Sequence, residues 1–377
     1  MKLAIVLGTR PEIIKMSPVI KECERLHINY SIFHTGQHYD YLMDKVFFEE
    51  LGLRSKSLNL NIGSGTHAET TGKIIIGLEK EFLKTKPDVV LVQGDTNTVL
   101  AGGLTSVKLH IKLAHIEAGL RSFDRRMPEE YNRIVVDHIS DFLFAPTKLA
   151  EQNLKRESVT SSKLLHYDGL YKPLIKMTGN TIVDAINQNL KLAKIKSNIL
   201  NELNLVKGSY FLLTVHREEN VDSKDRLVGI LKAMEIISNH LDLTIIFPIH
   251  PRTQQRIAKF KLEHLVSGIK NLKIIKPVGF FDMLCLEANS KIILTDSGGV
   301  QEEACSMKIP CVVLRDTSDR IESVNVGAAL LAGCNTEKIF KCVNSLLNAK
   351  RNWKNPFGDG KASERIIKTL QNYHNKH

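Results

Sequence analysis

Short apolar runs that stop at clusters of polar residues recur along the chain, and residues at helical spacing follow them. Lys2 to Leu7 ends at Gly8-Thr9-Arg10-Pro11-Glu12, and Ile13, Met16, Val19 and Ile20 then recur as on a helix face. Asn29 to His34 ends at Thr35-Gly36-Gln37-His38, Pro87 to Gln93 at Gly94-Asp95-Thr96, and Lys112 to Ile116 at Glu117. The rhythm restarts with Tyr210 to Val215, which ends at His216-Arg217-Glu218-Glu219-Asn220. Leu243 to Pro248 leads to His250-Pro251-Arg252, Ile292 to Thr295 to Asp296-Ser297-Gly298-Gly299, and Pro310 to Leu314 to Arg315 and Asp316. Alternation of this kind predicts an α/β fold with parallel sheets covered on both faces and ligand chemistry at the carboxyl ends of the strands.

At 377 residues the chain suits two domains of roughly 180 residues each. From Lys155 to Lys176 the pattern dissolves into Ser, Lys and Tyr-rich sequence, and Thr178-Gly179-Asn180 precedes a polar helix through Ala193. Residues 179–199 are therefore expected as the interdomain crossing, with 1–178 before it and 200–359 after it. Near the end, Ser363 reads as the cap of a helix carrying Ile366, Ile367 and Leu370, so 360–377 is expected to pack back onto the first domain.

The apolar runs are far too short to span a bilayer, and the N-terminus lacks a signal-peptide pattern, which predicts a soluble, cytoplasmic protein with no membrane partner. The six cysteines form no Cys-x-x-Cys pair and no zinc spacing; buried free thiols and no metal are expected. Residues 337–377 hold 9 Lys/Arg against 3 Asp/Glu, which supplies +6 of the formal net charge of +11. The remaining basic residues are scattered without aromatic interleaving, so nucleic acid is not the expected partner and a small anionic ligand is.

His115 to Arg133, HIEAGLRSFDRRMPEEYNR, concentrates carboxylates and guanidinium groups without core periodicity. With Asp95 just upstream, Glu117, Glu129 and Glu130 are candidate acids and bases. Pro128 opens a helix whose Tyr131, Ile134, Val135 and Ile139 read as an apolar stripe. Its Glu129 and Glu130 would also serve simple compensation of the helix dipole, with Arg133 in reach of Glu129. At the first strand, Arg10 and Lys15 flank a helix N-terminus able to receive an anion. Residues 63–73, GSGTHAETTGK, lack a preceding strand and the P-loop spacing, and read as a loop entering a helix near Ile74 to Leu83. Ser297-Gly298-Gly299 allows backbone amides close to a diphosphate, with Glu303 one turn on as acceptor for a ribose diol; a tight turn with a capping Ser is the plainer alternative.

Six segments together resemble the non-hydrolysing UDP-N-acetylglucosamine 2-epimerases: GTRPE at Gly8 to Glu12, GDT at Gly94 to Thr96, HIEAGLR at His115 to Arg121, PEEYNR at Pro128 to Arg133, HREEN at His216 to Asn220 and DSGGVQEEA at Asp296 to Ala304. They occur in that family's order and spacing. The resemblance implies a GT-B-like arrangement of two Rossmann-type domains with an interdomain active-site cleft, a UDP-sugar substrate, no cofactor, and a homodimer. It implies interconversion of UDP-N-acetylglucosamine and UDP-N-acetylmannosamine by elimination of UDP to 2-acetamidoglucal and re-addition. Carried over position by position, Asp95, Glu117, Glu129 and His216 would be catalytic, with the C2 base left open among them. Arg10, Lys15, Arg133, Arg217, His250, Met283, Ser297, Gly298, Gly299, Glu303 and Arg320 would bind substrate.

The chain departs from the family pattern in three places. Met283 stands at the aromatic uracil position with Phe280 and Phe281 nearby, Ile321 replaces the Pro after Arg320, and residues 156–178 are longer than the usual connection. Gln37-His38 resembles part of the region where bacterial members bind an activating substrate molecule. The competing readings are a C2 epimerase of another UDP-2-acetamido sugar such as a 6-deoxy hexose, a GT-B glycosyltransferase, and a silent sugar-nucleotide sensor.

Overall fold

The computed structural model describes residues 1–36, 48, 50–53, 57–63, 65–157 and 173–376. Gln37 and His38 lie outside them. The described residues divide into two compact units, Met1–Ala185 with Phe357–His377, and Ile186–Pro356. The division falls within the helix Thr181–Lys196.

The first unit holds seven strands: β1 Lys2–Leu7, β2 Asn29–His34, β3 Ser57–Asn59, β4 Val89–Gln93, β5 Lys112–Ile116, β6 Phe142–Ala145 and β7 Leu174–Met177. They pair in parallel in the order β3-β2-β1-β4-β5-β6-β7. The second unit repeats the scheme with β8 Tyr210–Thr214, β9 Thr244–Pro248, β10 Leu272–Ile275, β11 Ile292–Thr295, β12 Cys311–Val313 and β13 Ala329–Leu331, ordered β10-β9-β8-β11-β12-β13. Both are the parallel α/β sheets expected, and the central strands are buried along their length. Chain order reverses between β1 and β4 in one sheet and between β8 and β11 in the other. There the flanking crossovers leave to opposite sides and open a crevice beyond the carboxyl ends.

Five strands fall outside the apolar runs named above. Four of these, β3, β7, β10 and β13, are the sheet edges, and three have no buried residue. An edge strand has fewer neighbours to bury it, so it needs no apolar run. The fifth, β6, is buried but four residues long, too short to separate by periodicity from a helix tail.

Three local expectations are corrected. Residues 67–73 are not loop: the helix spans His67–Thr85, because Thr66 caps it through the Glu69 amide and Glu69 returns a bond to the Thr66 amide. Ser363 is not a cap but lies inside the helix Ala362–His374. Asp184 caps that helix instead, accepting from the Ala362 and Ser363 amides and the Ser363 hydroxyl. Burial raises the Asp184 carboxyl above its ordinary value, with these bonds opposing.

The third concerns the helix Pro128–Ile139, in which Tyr131 and Val135 face solvent. Its buried face carries Glu130, Asn132, Arg133, Val136 and Asp137. A helix that turns charge inward is serving a site rather than a core.

All six cysteines are free thiols; Cys23, Cys285, Cys305 and Cys311 are buried, and Cys334 and Cys342 half-buried. Among the described residues no helix is long and apolar enough to cross a membrane.

Candidate active site

In the first unit the site residues gather where β1, β4 and β5 end. Glu117 follows β5 directly and takes a left-handed backbone, φ 73°, which a non-glycine residue adopts at a cost. Its amide and that of Ala118 both donate to the Phe144 carbonyl. Two residues on, Gly119 has φ 83°, and a Cβ there would lie 2.3 Å from the Ala150 carbonyl oxygen. The turn therefore requires glycine at 119 and aims the carboxylate of Glu117 back over the sheet. Glu117 Oε2 accepts from Lys15 Nζ and from Gln93 Nε2, each at 2.6 Å, and all three side chains are buried. Lys15, expected to face phosphate or sugar, is thus paired with a candidate catalytic carboxylate.

Asp95 stands beyond β4 with its side chain partly exposed, and Arg133 Nε lies 3.1 Å from its Oδ2. Asn132 Nδ2 donates to the Asp95 carbonyl at 2.8 Å, so the Pro128–Ile139 helix fixes both ends of that residue. Arg133 is 2% exposed and also lies 3.6 Å from Glu130. Glu130 stands in the first turn of the helix, and its carboxylate accepts from the Ser122 and Phe123 amides and the Ser122 hydroxyl, pinning the preceding loop to the helix. Glu129, its neighbour in the first turn, is half-buried.

Beneath these residues lies a layer absent from the expected set. His115 is fully buried, with Nδ1 2.7 Å from Asp137 and Nε2 2.8 Å from the Gly94 carbonyl, the peptide that leads into Asp95. Arg121 Nη2 is 2.7 Å from Asp137 and 2.6 Å from Glu157. Burial drives the Asp137 carboxyl up, but His115 and Arg121 outweigh it and hold the group below its ordinary value. Glu12 plays a similar part at β1. It accepts from the Gly8 and Thr9 amides and from the Thr9 and Thr96 hydroxyls, tying the β1 loop to the β4 loop. The two amides just before the helix Arg10–Arg25 are therefore occupied by the chain's own carboxylate, beside a half-exposed Arg10. Periodicity could not signal these residues: His115 stands within β5 and Asp137 within the helix Pro128–Ile139, at positions where an apolar residue would fit the pattern as well.

In the second unit the corresponding crevice lies between the ends of β8 and β11. Asp296, fully buried, accepts from the His216 and Arg217 amides and from Asn220 Nδ2, locking the segment after β8 to the end of β11. Neither Asp296 nor Asn220 was in the expected set, although both lie in its motifs. The His216 and His250 rings are 5.6 Å apart. Burial lowers the His216 imidazole, as does Arg217, while Asp296 opposes them, so the neutral ring is favoured. His250 Nδ1 accepts from the Arg252 amide and caps the helix Pro251–Lys259.

Ser297 caps the helix Gly298–Ser306 through the Val300 amide. A Cβ on Gly298 would come no closer than 3.6 Å to Asp319 Oδ1, and one on Gly299 no closer than 3.8 Å to Ser297 Oγ. Protein packing does not demand glycine at either position. Close approach by a ligand would. Glu303, half-buried, lies on the same helix. Arg320, expected to hold UDP, is buried and bonded to Glu302 and Asp319, so its charge is engaged within the protein. Met283 packs against the core around Leu286, while Phe280 and Phe281 are buried and Lys196 lies over the Phe281 ring. Among the described residues no cluster of His, Cys, Asp or Glu could hold a metal ion.

A family model described as UDP-N-acetylglucosamine 2-epimerase matches residues 21–371. The chain belongs to this family. It is 55% identical to a UDP-N-acetylglucosamine 2-epimerase of Methanocaldococcus jannaschii, over 98% of this chain and 99% of that one. A crystal structure of the Methanocaldococcus jannaschii UDP-GlcNAc 2-epimerase in complex with UDP-GlcNAc and UDP superposes with a TM-score of 0.89 at 56% identity, covering 98% of this chain and 99% of that one. A UDP-2,3-diacetamido-2,3-dideoxy-D-glucuronate 2-epimerase of Pseudomonas aeruginosa is 38% identical over 98% of this chain and 99% of its own. Membership of the epimerase family accords with the GT-B-like fold, and four of the six motif segments follow the strands that flank the two topological switch points, β1 and β4 in one sheet and β8 and β11 in the other.

Proposed function

We propose that this chain epimerises UDP-N-acetylglucosamine at C2, giving UDP-N-acetylmannosamine. The observation that carries this reading is the placement of two carboxylates against cations where β4 and β5 end, Asp95 beside Arg133 and Glu117 beside Lys15, with Glu129 in the first turn of the helix that supplies Arg133; these are more proton-handling groups than simple glycosyl transfer requires. The C2 proton passes to a carboxylate as the C1–oxygen bond to UDP breaks, leaving a C1–C2 double bond in 2-acetamidoglucal. A UDP oxygen then re-forms the bond to C1 while C2 takes a proton from the opposite face.

Asp95, Glu117, Glu129 and His216 are assigned to proton handling, and Arg10 and Arg133 to the sugar and phosphates. Ser297, Gly298, Gly299 and Glu303 are assigned to the nucleotide, with Arg217 and His250 near the departing diphosphate and Met283 at the uracil. Lys15 and Arg320 are assigned to substrate binding as well, Lys15 while paired with Glu117 and Arg320 while held by Glu302 and Asp319. The reading includes a cytoplasmic homodimer, for which sedimentation at working concentration is the measure.

Incubation with UDP-N-acetylglucosamine in deuterated water should yield both epimers with deuterium at C2. Recovery of unlabelled substrate alone rejects the assignment. The Pseudomonas aeruginosa relative supports a second reading, the same chemistry on another UDP-acetamido sugar. Exchange at C2 of such a sugar, and none with UDP-N-acetylglucosamine, would select it.

A further inference from the structure

His115 lies within β5 with its side chain fully buried, where an apolar residue would pack without the cost of desolvating a polar ring. Both ring nitrogens face acceptors: Nδ1 is 2.7 Å from Asp137 Oδ1, and Nε2 is 2.8 Å from the Gly94 carbonyl oxygen. Asp137, fully buried on the helix Pro128–Ile139, turns its other oxygen to the Gly119 amide at 3.1 Å and to Arg121 Nη2 at 2.7 Å. Arg121 also donates to both oxygens of Glu157, at 2.7 Å from Nε and 2.6 Å from Nη2.

This set of contacts joins the two turns that carry Asp95 and Glu117. Gly94 precedes Asp95 with φ 85°, and Gly119 follows Glu117 by two residues with φ 83°. A left-handed turn is not held by a regular ladder, so the bonds that its peptides make elsewhere fix its course. The Gly94 carbonyl leads through His115 to Asp137, and the Gly119 amide leads to Asp137 directly. One buried carboxylate thereby sets one turn against the other. A carboxylate and a carbonyl both accept, so the link closes only with a hydrogen on each nitrogen of the His115 ring. Burial raises the Asp137 carboxyl, but His115 and Arg121 outweigh it and keep the group an acceptor for all three donors.

We propose that His115 and Asp137 are positioning residues for C2 epimerisation, fixing the Asp95 turn against the Glu117 turn so that the two carboxylates meet the sugar at a set separation. This rests on the assignment of Asp95 and Glu117 to proton handling. His115 and Asp137 themselves have no surface open to a ligand, and they make and break no bond.

The test compares full-length wild type with His115→Phe and Asp137→Asn, each at a temperature where circular dichroism shows it folded. Turnover of UDP-N-acetylglucosamine and calorimetric affinity for UDP are measured on all three. Loss of the link should lower kcat about a hundredfold in both variants, with KM and UDP affinity within about twofold of wild type. A lowered melting temperature with unchanged kcat would make the link purely structural and overturns the proposal; so does a raised KM at unchanged kcat. Asp95→Asn and Glu117→Gln separate the two layers. If these turn over like wild type, the assignment of the carboxylates is wrong; if they lose turnover while His115→Phe and Asp137→Asn keep it, only the positioning role is. Should both positioning variants fail to fold, nitrogen-15 spectra of the wild type decide. Hydrogen on both ring nitrogens of His115 is expected, and a single ring N–H would leave Gly94 or Asp137 unlinked and overturn the proposal.

Discussion

Lys15 Nζ and Glu117 Oε2 lie 2.6 Å apart with both side chains buried, so a candidate base and a candidate phosphate ligand are each other's partner. Lys15→Met would leave the buried Glu117 carboxylate without its cation. Removing one member of a buried pair typically costs about 3–5 kcal/mol. Urea unfolding of Lys15→Met should show a loss of that order, and adding Glu117→Gln should restore much of it. A single variant as stable as wild type would mean that the pair contributes nothing.

Glu12 makes a second, pH-dependent prediction. Burial raises its carboxyl to about 7, against the bonds from Thr96, Gly8 and Thr9. A folded value above the unfolded one means that Glu12's contribution to stability is complete below its unfolded value and is lost as pH rises through about 7. Relative to Glu12→Gln, the wild type should lose up to about 3 kcal/mol between weakly acidic and neutral pH, and be level above. Unfolding midpoints of the two proteins across that window would check it; parallel curves would refute it.

The parts of this molecule legible in its sequence were those where burial writes a pattern. The central strands β1, β4, β5, β8 and β11 are apolar because both faces are covered, and the polar residues at their ends mark the switch points. The edge strands β7 and β10 carry no such pattern because half their surface reaches solvent. The Pro128–Ile139 helix misled for the opposite reason: its inward face is charged, and Tyr131 and Val135 sit outside. The motif residues of the site were visible as clusters. Their pairing, Lys15 with Glu117, Arg320 with Glu302 and Asp296 with the His216 amide, depends on chain crossings that spacing cannot encode.

His216 is lowered chiefly by burial, which favours the neutral ring. A folded value below the unfolded one gives stability that is present above the unfolded value and lost as pH falls through the folded one. The imidazole, followed by proton resonance, should therefore titrate below about 6.5, the ordinary histidine value. His216→Asn should flatten the acid limb of the stability profile. A midpoint at or above the ordinary value would contradict both.

Gly298 and Gly299 separate ligand binding from folding. An added Cβ meets nothing closer than 3.6 Å in the protein at the first position and 3.8 Å at the second, so alanine fits the chain at both. Both residues stand in the first turn of a helix, where replacing glycine lowers the entropy of the unfolded chain without loss of a contact. Gly298→Ala should then melt within about a degree or two of wild type, or slightly above it. If the backbone amides of this turn receive a diphosphate, the same methyl group stands where the anion must approach, and UDP affinity should fall at least about tenfold. Calorimetric titration with UDP beside a thermal melt reads both effects on one sample. Unchanged affinity with unchanged stability would remove the diphosphate from this helix terminus. Loss of stability would mean that the glycine serves the fold after all.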